Sequence, residues 1–375
     1  MKYYLISGEA SGDLHGSNLM KALKIQDPQA EFRFWGGDLM QEVGGTCVKH
    51  YKELAFMGFV EVIMNLRTIL RNIEIAKKDI EAYKPDAVIL IDYPGFNLRV
   101  AKFVKDLGIK VYYYISPQIW AWKTGRVHQI KKVVDRMFVI LPFEKDFYRK
   151  YEMEVDFVGH PLLDALKTRE FLSKDDFLQK YQLDDRPIIA LLPGSRNQEI
   201  KAKLPIMLSV MSDFPNYQFV VAGAPSQSLE DYQKFLHQYS VKVISNDTYN
   251  LLNNATAALV TSGTATLETA LLNIPEVVCY KGSRISYEIG KRLVKHISYI
   301  SLVNLIMDKE VVKELIQQEL TTENLRAELH KILTDPYRSQ VLENYRVLRE
   351  KLGGEGASIR TAKLIVDDLH AKISR

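Results

Sequence analysis

Short β-branched and aromatic runs alternate with longer helical patterns along this chain, and that alternation confines it to few folds. The first runs are Tyr3 to Ser7, Glu31 to Trp35, Ala87 to Ile91, Lys110 to Ile115 and Met137 to Leu141. Strand, helix and parallel strand make a βαβ unit, so the repeated rhythm predicts a parallel sheet. It restarts beyond a polar, acidic stretch, with strands predicted at Ile188 to Leu192, Gln218 to Ala222, Val241 to Ser245, Ala257 to Thr261 and Val277 to Tyr280. Several are apolar at every position, as required where helices cover both sheet faces. The predicted class is α/β: two doubly wound, Rossmann-like domains facing a cleft, over 1–166 and 187–350, with a linker near 166–186. The 375 residues suffice for both.

Past Leu305 the pattern is helical over Glu310 to Leu320, Thr322 to Leu333 and Tyr337 to Leu352, until Gly353, Gly354 and Gly356 break it. A last helix, 357–372, collects Ile359, Ala362, Ile365, Val366 and Leu369 on one side. That face requires burial, against the first domain or against a partner subunit in a homodimer.

Composition narrows the function classes. With 47% hydrophobic and 26% charged residues the chain is globular, and a net charge of +4 gives no sign of a nucleic-acid partner. Cys47 and Cys279 form no CxxC pair and have no histidine at zinc spacing, so buried thiols in a reducing compartment are expected. The N-terminus lacks a secretory apolar region, and no uncharged apolar run approaches the ~18 residues of a membrane span. These features place the chain in the cytoplasm, with attachment to a membrane surface left open.

In open parallel sheets ligands bind beyond the carboxyl ends of strands, so the polar residues there are the candidates. The first strand runs into Gly8-Glu9-Ala10-Ser11-Gly12-Asp13-Leu14-His15-Gly16, either a tight turn or a site where Glu9, Ser11 and Asp13 meet a ligand beside a helix N-terminus. The third run ends in Asp92-Tyr93-Pro94-Gly95-Phe96-Asn97. Asp92 there is either a general base for an attacking hydroxyl or a helix cap. Ser116 to Trp122 sets Trp120 and Trp122 at the same edge, for packing or for a sugar face or lipid chain. Lys123, Arg126, Lys131, Lys132 and Arg136 follow, a solvated face or a cationic patch for phosphate or anionic lipid.

In the second domain, Leu192-Pro193-Gly194-Ser195-Arg196 places an arginine fork where it can clamp a diphosphate. Ser262-Gly263-Thr264 opens a helix whose N–H groups and dipole favour phosphate, with Glu268 one turn in for a ribose diol. Each segment also reads as an ordinary capped turn, but both stand at corresponding strand ends. The sequence has no GxGxxG, GxxxxGK[ST], HExxH, Asp-x-Asp or GxSxG motif, so neither a cofactor nor a metal is expected.

A base candidate on one doubly wound domain and a diphosphate cradle on another resemble a GT-B glycosyltransferase. Seven motifs in order narrow this: Gly8 to Asp13, Phe56 to Val62, Ile91 to Asn97, Ser116 to Trp122, Phe157 to Pro161, Leu192 to Arg196 and Ser262 to Glu268. Together they resemble the lipid-A-disaccharide synthases over nearly the whole chain. The resemblance implies an inverting transfer of 2,3-diacylglucosamine from its UDP derivative to the 6-hydroxyl of 2,3-diacylglucosamine 1-phosphate, giving a β-1,6 disaccharide and UDP. It implies Asp92 as base, with Glu9, Asp13, His15 and His160 as competitors for that role, and Arg196 with the Ser262 helix against the leaving diphosphate. It also implies that Glu268 holds the nucleotide and that Asn304 lines the donor site. The sequence departs from the family pattern at Val303, where proline is usual, and at Lys281, where arginine is common. Lipid substrates imply peripheral attachment to the cytoplasmic face of the inner membrane through the apolar segment 54–64, flanked by Arg67 and Arg71, and through the 123–136 cations with Lys291, Arg292 and Lys295. The competing readings are another GT-B UDP-sugar transferase or epimerase, and a non-catalytic binder of nucleotide sugars or lipids.

Overall fold

Every described strand runs parallel to its sheet neighbours. The computed structural model describes residues 1–54, 66–122, 124–282 and 298–373. The Phe56 to Val62 motif, nearly all of the apolar segment 54–64, Lys123, Lys291, Arg292 and Lys295 lie outside the described residues, as does the Trp122 side chain.

The first sheet comprises β1 (Lys2–Ile6), β2 (Glu31–Gly36), β3 (Thr46–His50), β4 (Ala87–Ile91), β5 (Lys110–Tyr114), β6 (Arg136–Val139) and β7 (Asp156–Phe157). Their order is β3-β2-β1-β4-β5-β6-β7. The second comprises β8 (Ile188–Leu192), β9 (Gln218–Gly223), β10 (Lys242–Ser245), β11 (Ala255–Thr261), β12 (Glu276–Tyr280) and β13 (Lys313–Ile316), in the order β10-β9-β8-β11-β12-β13. Each order reverses once, between β1 and β4 and between β8 and β11, and such a reversal opens a crevice at the carboxyl edge. This is the two-sheet α/β architecture expected from the sequence.

The chain divides into two compact units, Met1–Lys167 with Leu352–Arg375, and Thr168–Lys351. In the first, Tyr4, Ile6, Val88 and Leu90 point into one core, while Tyr3, Leu5, Ala87, Ile89 and Ile91 point into another across the sheet. Two-faced burial explains why β4 is apolar at all five positions. The C-terminal helix Ala357–Ile373 covers the second of these cores with Ala362, Ile365, Val366 and Leu369. It is fixed at Asp368, which accepts from the Tyr112 hydroxyl at 2.6 Å and Lys110 Nζ at 3.0 Å. The helix therefore returns to the first unit of its own chain.

Two sequence expectations are corrected. Glu310 to Leu320 is not a helix: Lys313–Ile316 is the edge strand β13, followed by a single 3₁₀ turn. Val311-Val312-Lys313-Glu314-Leu315-Ile316 satisfies both periods over so short a span, and pairing with β12 decides for strand. The stretch 166–186 is not a bare linker, since helix Lys174–Tyr181 buries Phe177 and Leu178 in the core beneath β8.

Candidate functional site

At the first reversal, β4 delivers Asp92 and Tyr93 in consecutive left-handed conformations, φ 44° and 49°. Such geometry costs roughly 1–3 kcal/mol per residue and clusters at functional sites. It is held by the Asp92 carbonyl, which accepts from Asn97 Nδ2 at 2.7 Å and from the Tyr113 hydroxyl at 2.6 Å. The cap of helix Pro94–Asp106 is Tyr93, with no side-chain bond, so Asp92 does not serve as its cap. Burial, reinforced by the negative charge of Glu9 and opposed by the Tyr93 N–H, pushes the Asp92 carboxyl up to about 6. A carboxylate so placed is poised as a base near neutral pH. Gly8 is required here, because a Cβ would come 2.5 Å from the Tyr93 ring. Glu9 and Ser11 stand exposed at the start of helix Ala10–Gln26, on the adjacent edge after β1.

Three other expected contacts turn inward. Asp13 is 3% exposed, and its carboxylate accepts from the N–H groups of Gly37, Leu39 and Met40 at 2.7, 3.1 and 3.1 Å. It anchors the turn into helix Asp38–Val43 instead of meeting substrate. Asn97 is fully buried, and its amide ties the carbonyls of Ile6, Ile91 and Asp92 together. Trp120 is buried edge-on against Phe143, ring centroids 4.9 Å apart, which is a packing role. The imidazoles of His15 and His160 are driven down to about 4 and about 3, by burial in both and additionally by His15 for His160. Both are neutral at pH 7.

Sequence reading missed Glu144. Its buried carboxyl accepts from the N–H groups of Ile140 and Leu141 at 3.2 and 2.9 Å, and burial pushes it up to about 8, with Asp92 among the charges raising it. Its place in Leu141-Pro142-Phe143-Glu144, just after β6, was the available signal. The cationic stretch 123–136 is also less free than its composition implied. Arg136 lies on β6, not on a helix, and forks onto Asp156 at 2.6 and 3.2 Å; Lys131 donates to the Tyr151 carbonyl.

At the second reversal, the carboxyl ends of β8 and β11 border a cavity of about 400 Å³ that brings together Gly194, Ser195, Arg196, Ser262, Gly263, Thr264 and Glu268. Arg196 is 68% exposed, 3.8 Å from Glu199, and thus available to a ligand. Gly194 (φ +119°) lets the Glu199 carboxylate fold beneath the turn, where it accepts from Ser195 N–H at 3.1 Å. Gly263 (φ +148°) has open space where a side chain would stand, so the first turn of helix Thr264–Leu271 is bare toward the cavity. Ser262 Oγ donates to the Ile300 carbonyl at 2.9 Å. Glu268 accepts from the Tyr249 hydroxyl at 2.9 Å, and burial raises its carboxyl against the opposing pull of Tyr249 and Arg169. A carboxylate at one end and an arginine with a helix N-terminus at the other match a nucleoside diphosphate. Lys203 was missed: its ammonium is buried under this floor, bonded to Thr261 Oγ1, and burial lowers its pKa.

Asn304 does not line this cavity. It is fully buried, with Nδ2 donating to Val312 O and Glu314 Oε1 at 2.8 and 3.0 Å and Oδ1 accepting from Val311 and Val312 N–H at 2.7 and 3.0 Å. Glu314 in turn receives Ile300 and Ser301 N–H. Asn304 thereby positions the loop that Ser262 grips. Among the described residues no group of three or more His, Cys, Asp or Glu is placed to hold a metal, and no helix is long and apolar enough to cross a membrane.

A lipid-A-disaccharide synthase of Geobacter metallireducens is 40% identical over 376 residues, covering 98% of this chain and 97% of that protein. Among solved structures, a UDP-GlcNAc 2-epimerase from Neisseria meningitidis bound to UDP-GlcNAc matches with TM-score 0.64 at 15% identity, covering 99% of this chain and 100% of that one. The glycotransferase of kitacinnamycin matches with TM-score 0.64 at 14% identity, covering 98% and 99%. These distant likenesses confirm the GT-B class of fold. The family model for lipid-A-disaccharide synthetase matches residues 3–364, and this chain belongs to that family.

Proposed function

We propose that this chain is a lipid-A-disaccharide synthase: it transfers 2,3-diacylglucosamine from its UDP derivative to the 6-hydroxyl of 2,3-diacylglucosamine 1-phosphate, with inversion, releasing UDP. The observation that carries this reading is the raised, strained Asp92 at the reversal of one sheet, complemented by a diphosphate-sized cradle at the reversal of the other. Asp92 takes the proton of the acceptor hydroxyl as that oxygen attacks the anomeric carbon and the bond to UDP breaks. The negative charge appearing on UDP is met by Arg196 and by the first turn of helix Thr264–Leu271, donors fixed before the reaction begins. Ser195, Ser262, Gly263 and Thr264 shape the phosphate end, Glu268 holds the ribose, and Glu9 and Ser11 border the acceptor.

Membrane contact belongs to the same reading, since both substrates carry acyl chains. Peripheral attachment to the inner membrane's cytoplasmic face would use the lysines of 123–136 with the apolar segment 54–64. Exchange of the C-terminal helix between two copies would reproduce its contacts in a homodimer.

The test incubates the protein with both acylated sugars in EDTA and follows disaccharide by mass spectrometry, with Asp92→Asn alongside. Product from the wild type and at least 10²-fold less from the variant is expected. UDP binding without product from either protein would overturn the reading in favour of a nucleotide-sugar binder, and an isomerised UDP-sugar would favour an epimerase.

A further inference from the structure

The reaction proposed above leaves one acceptor group without a holder, its anomeric phosphate. In the first unit a cavity of about 390 Å³ opens at the N-terminal end of helix Pro94–Asp106. Tyr93 lines it beside Asp92, Ile69, Phe96 and Leu98 contribute apolar wall, and Arg99 and Arg126 reach it from separate elements. Among the described residues no acidic side chain lines it.

Like Arg67 and Arg71, these two arginines have no internal partner among the described residues, but they alone of the four line this cavity. Arg33, Arg136 and Arg149 each pair with an aspartate, at 2.6, 2.6 and 3.1 Å. Arg99 and Arg126 have neither an ion pair nor a hydrogen bond among the described residues. Arg99 is exposed on the first turns of its helix; Arg126 is half-buried at the end of the 3₁₀ turn Thr124–Arg126. Arg126 also lies within electrostatic reach of the Tyr113 hydroxyl that holds the Asp92 carbonyl; burial raises that phenol, and the Arg126 charge opposes the rise.

We propose that Arg126 and Arg99 bind a phosphate monoester, the anomeric phosphate of the acylated acceptor sugar, with Ile69, Phe96 and Leu98 against an acyl chain. This rests on the transferase reading. Two guanidinium forks suit the dianion of a monoester, which offers three oxygens to bidentate donors. With the phosphate held there, the sugar spans the distance to Asp92, which receives the 6-hydroxyl. The site would thus select the phosphorylated acceptor over its dephosphorylated counterpart and orient it for attack.

The experiment compares kcat/KM for 2,3-diacylglucosamine 1-phosphate and for 2,3-diacylglucosamine, with the same UDP donor, in wild type, Arg126→Gln, Arg99→Gln and Arg126→Lys. Wild type is expected to prefer the phosphorylated acceptor. Each glutamine variant should lower that preference roughly 10- to 100-fold, mainly through KM, and the lysine variant should fall between. An unchanged preference in Arg126→Gln and Arg99→Gln overturns the proposal. Flotation with phosphatidylglycerol vesicles separates the other source of phosphate: loss of flotation with the preference intact assigns the arginines to bilayer lipid and overturns it as well. Disaccharide from neither acceptor with wild type, UDP still bound, sinks the transferase reading itself and this inference with it. Tryptophan fluorescence, a property of the first unit through Trp35, Trp120 and Trp122, reports whether each variant is folded; should a glutamine variant fail that check, the lysine variants at both positions carry the same comparison.

Discussion

The hydroxyl of Tyr249 donates to Oε1 of Glu268 at 2.9 Å, and the Arg169 guanidinium stacks on the Tyr249 ring 4.4 Å from its centroid. The pair works against burial, which raises the Glu268 carboxyl. Arg169 comes from a stretch that reads as linker, so its contact with the tyrosine that holds Glu268 is invisible without the fold.

Tyr249→Phe should therefore raise the Glu268 pKa further. A ribose diol donates best to an ionised carboxylate, and the ionised fraction falls as pH drops through the raised pKa. UDP affinity should weaken roughly tenfold in the variant, and the deficit should be larger at pH 6 than at pH 8. Calorimetric titration at both values checks this; equal affinities for the two proteins at pH 6 would remove Tyr249 from the site.

Asp92→Asn separates activity from stability. The folded-state carboxyl sits near 6, above its unfolded value of 3.8. A raised acid favours the fold only while protonated, so its contribution is lost as pH rises toward 6 and ionised Asp92 is a cost above that. Asparagine removes the charge and tolerates the left-handed backbone. The variant should gain on the order of 2 kcal/mol at pH 8, with the gain narrowing below pH 6 and vanishing near pH 4, while turnover falls at least 10²-fold. Denaturant midpoints across that range test the sign. For the wild type, kcat/KM should decline as pH falls through about 6.

Much of this was legible in the sequence because strands buried on both faces write their burial as continuous apolar runs. β4 and β8 were placed to the residue, and the small-residue turns after β1, β8 and β11 marked the strand ends correctly. Three of the site corrections share one cause. Asp13, Asn97 and Asn304 are polar residues within motifs, and sequence alone cannot distinguish a polar group facing a ligand from one facing buried backbone. All three spend their hydrogen bonds internally, on N–H groups or carbonyls many residues away. Glu144 and Lys203 were missed for the converse reason, being charged types in helical patterns that read as solvent-facing until the fold buries them.

The Asn304 amide holds the backbone of Val311 and Val312 together with the Glu314 carboxylate. Removing the amide in Asn304→Ala strands the N–H groups of Val311 and Val312 and loosens Glu314, which holds the 300–301 backbone against Ser262. Unfolding of the second unit should become easier by roughly 2–4 kcal/mol, since buried groups lose partners. If Asn304 touched the nucleotide instead, the main effect would be on UDP affinity with little change in stability. Denaturation followed by circular dichroism, set beside a UDP titration of the same variant, decides between them.

The C-terminal helix offers a test in which the two units report separately. All three tryptophans, Trp35, Trp120 and Trp122, belong to the first unit, whereas the proposed UDP cavity belongs wholly to the second. Leu369 is 3% exposed in the core that the helix shares with Leu19, Met20 and Leu23. Truncating a buried leucine to alanine costs roughly 2–5 kcal/mol, the loss of transferred surface plus the cavity left behind. Leu369→Ala should therefore move the tryptophan fluorescence transition to lower denaturant and leave UDP affinity in native buffer unchanged. A fluorescence transition that stays in place would mean that the helix contributes nothing to the first unit, and a parallel loss of UDP affinity would mean that the units do not fold independently. Asp368→Ala, which releases Tyr112 and Lys110 but keeps the apolar face, should shift the same transition by less, because one partly exposed carboxylate offsets far less than a filled core.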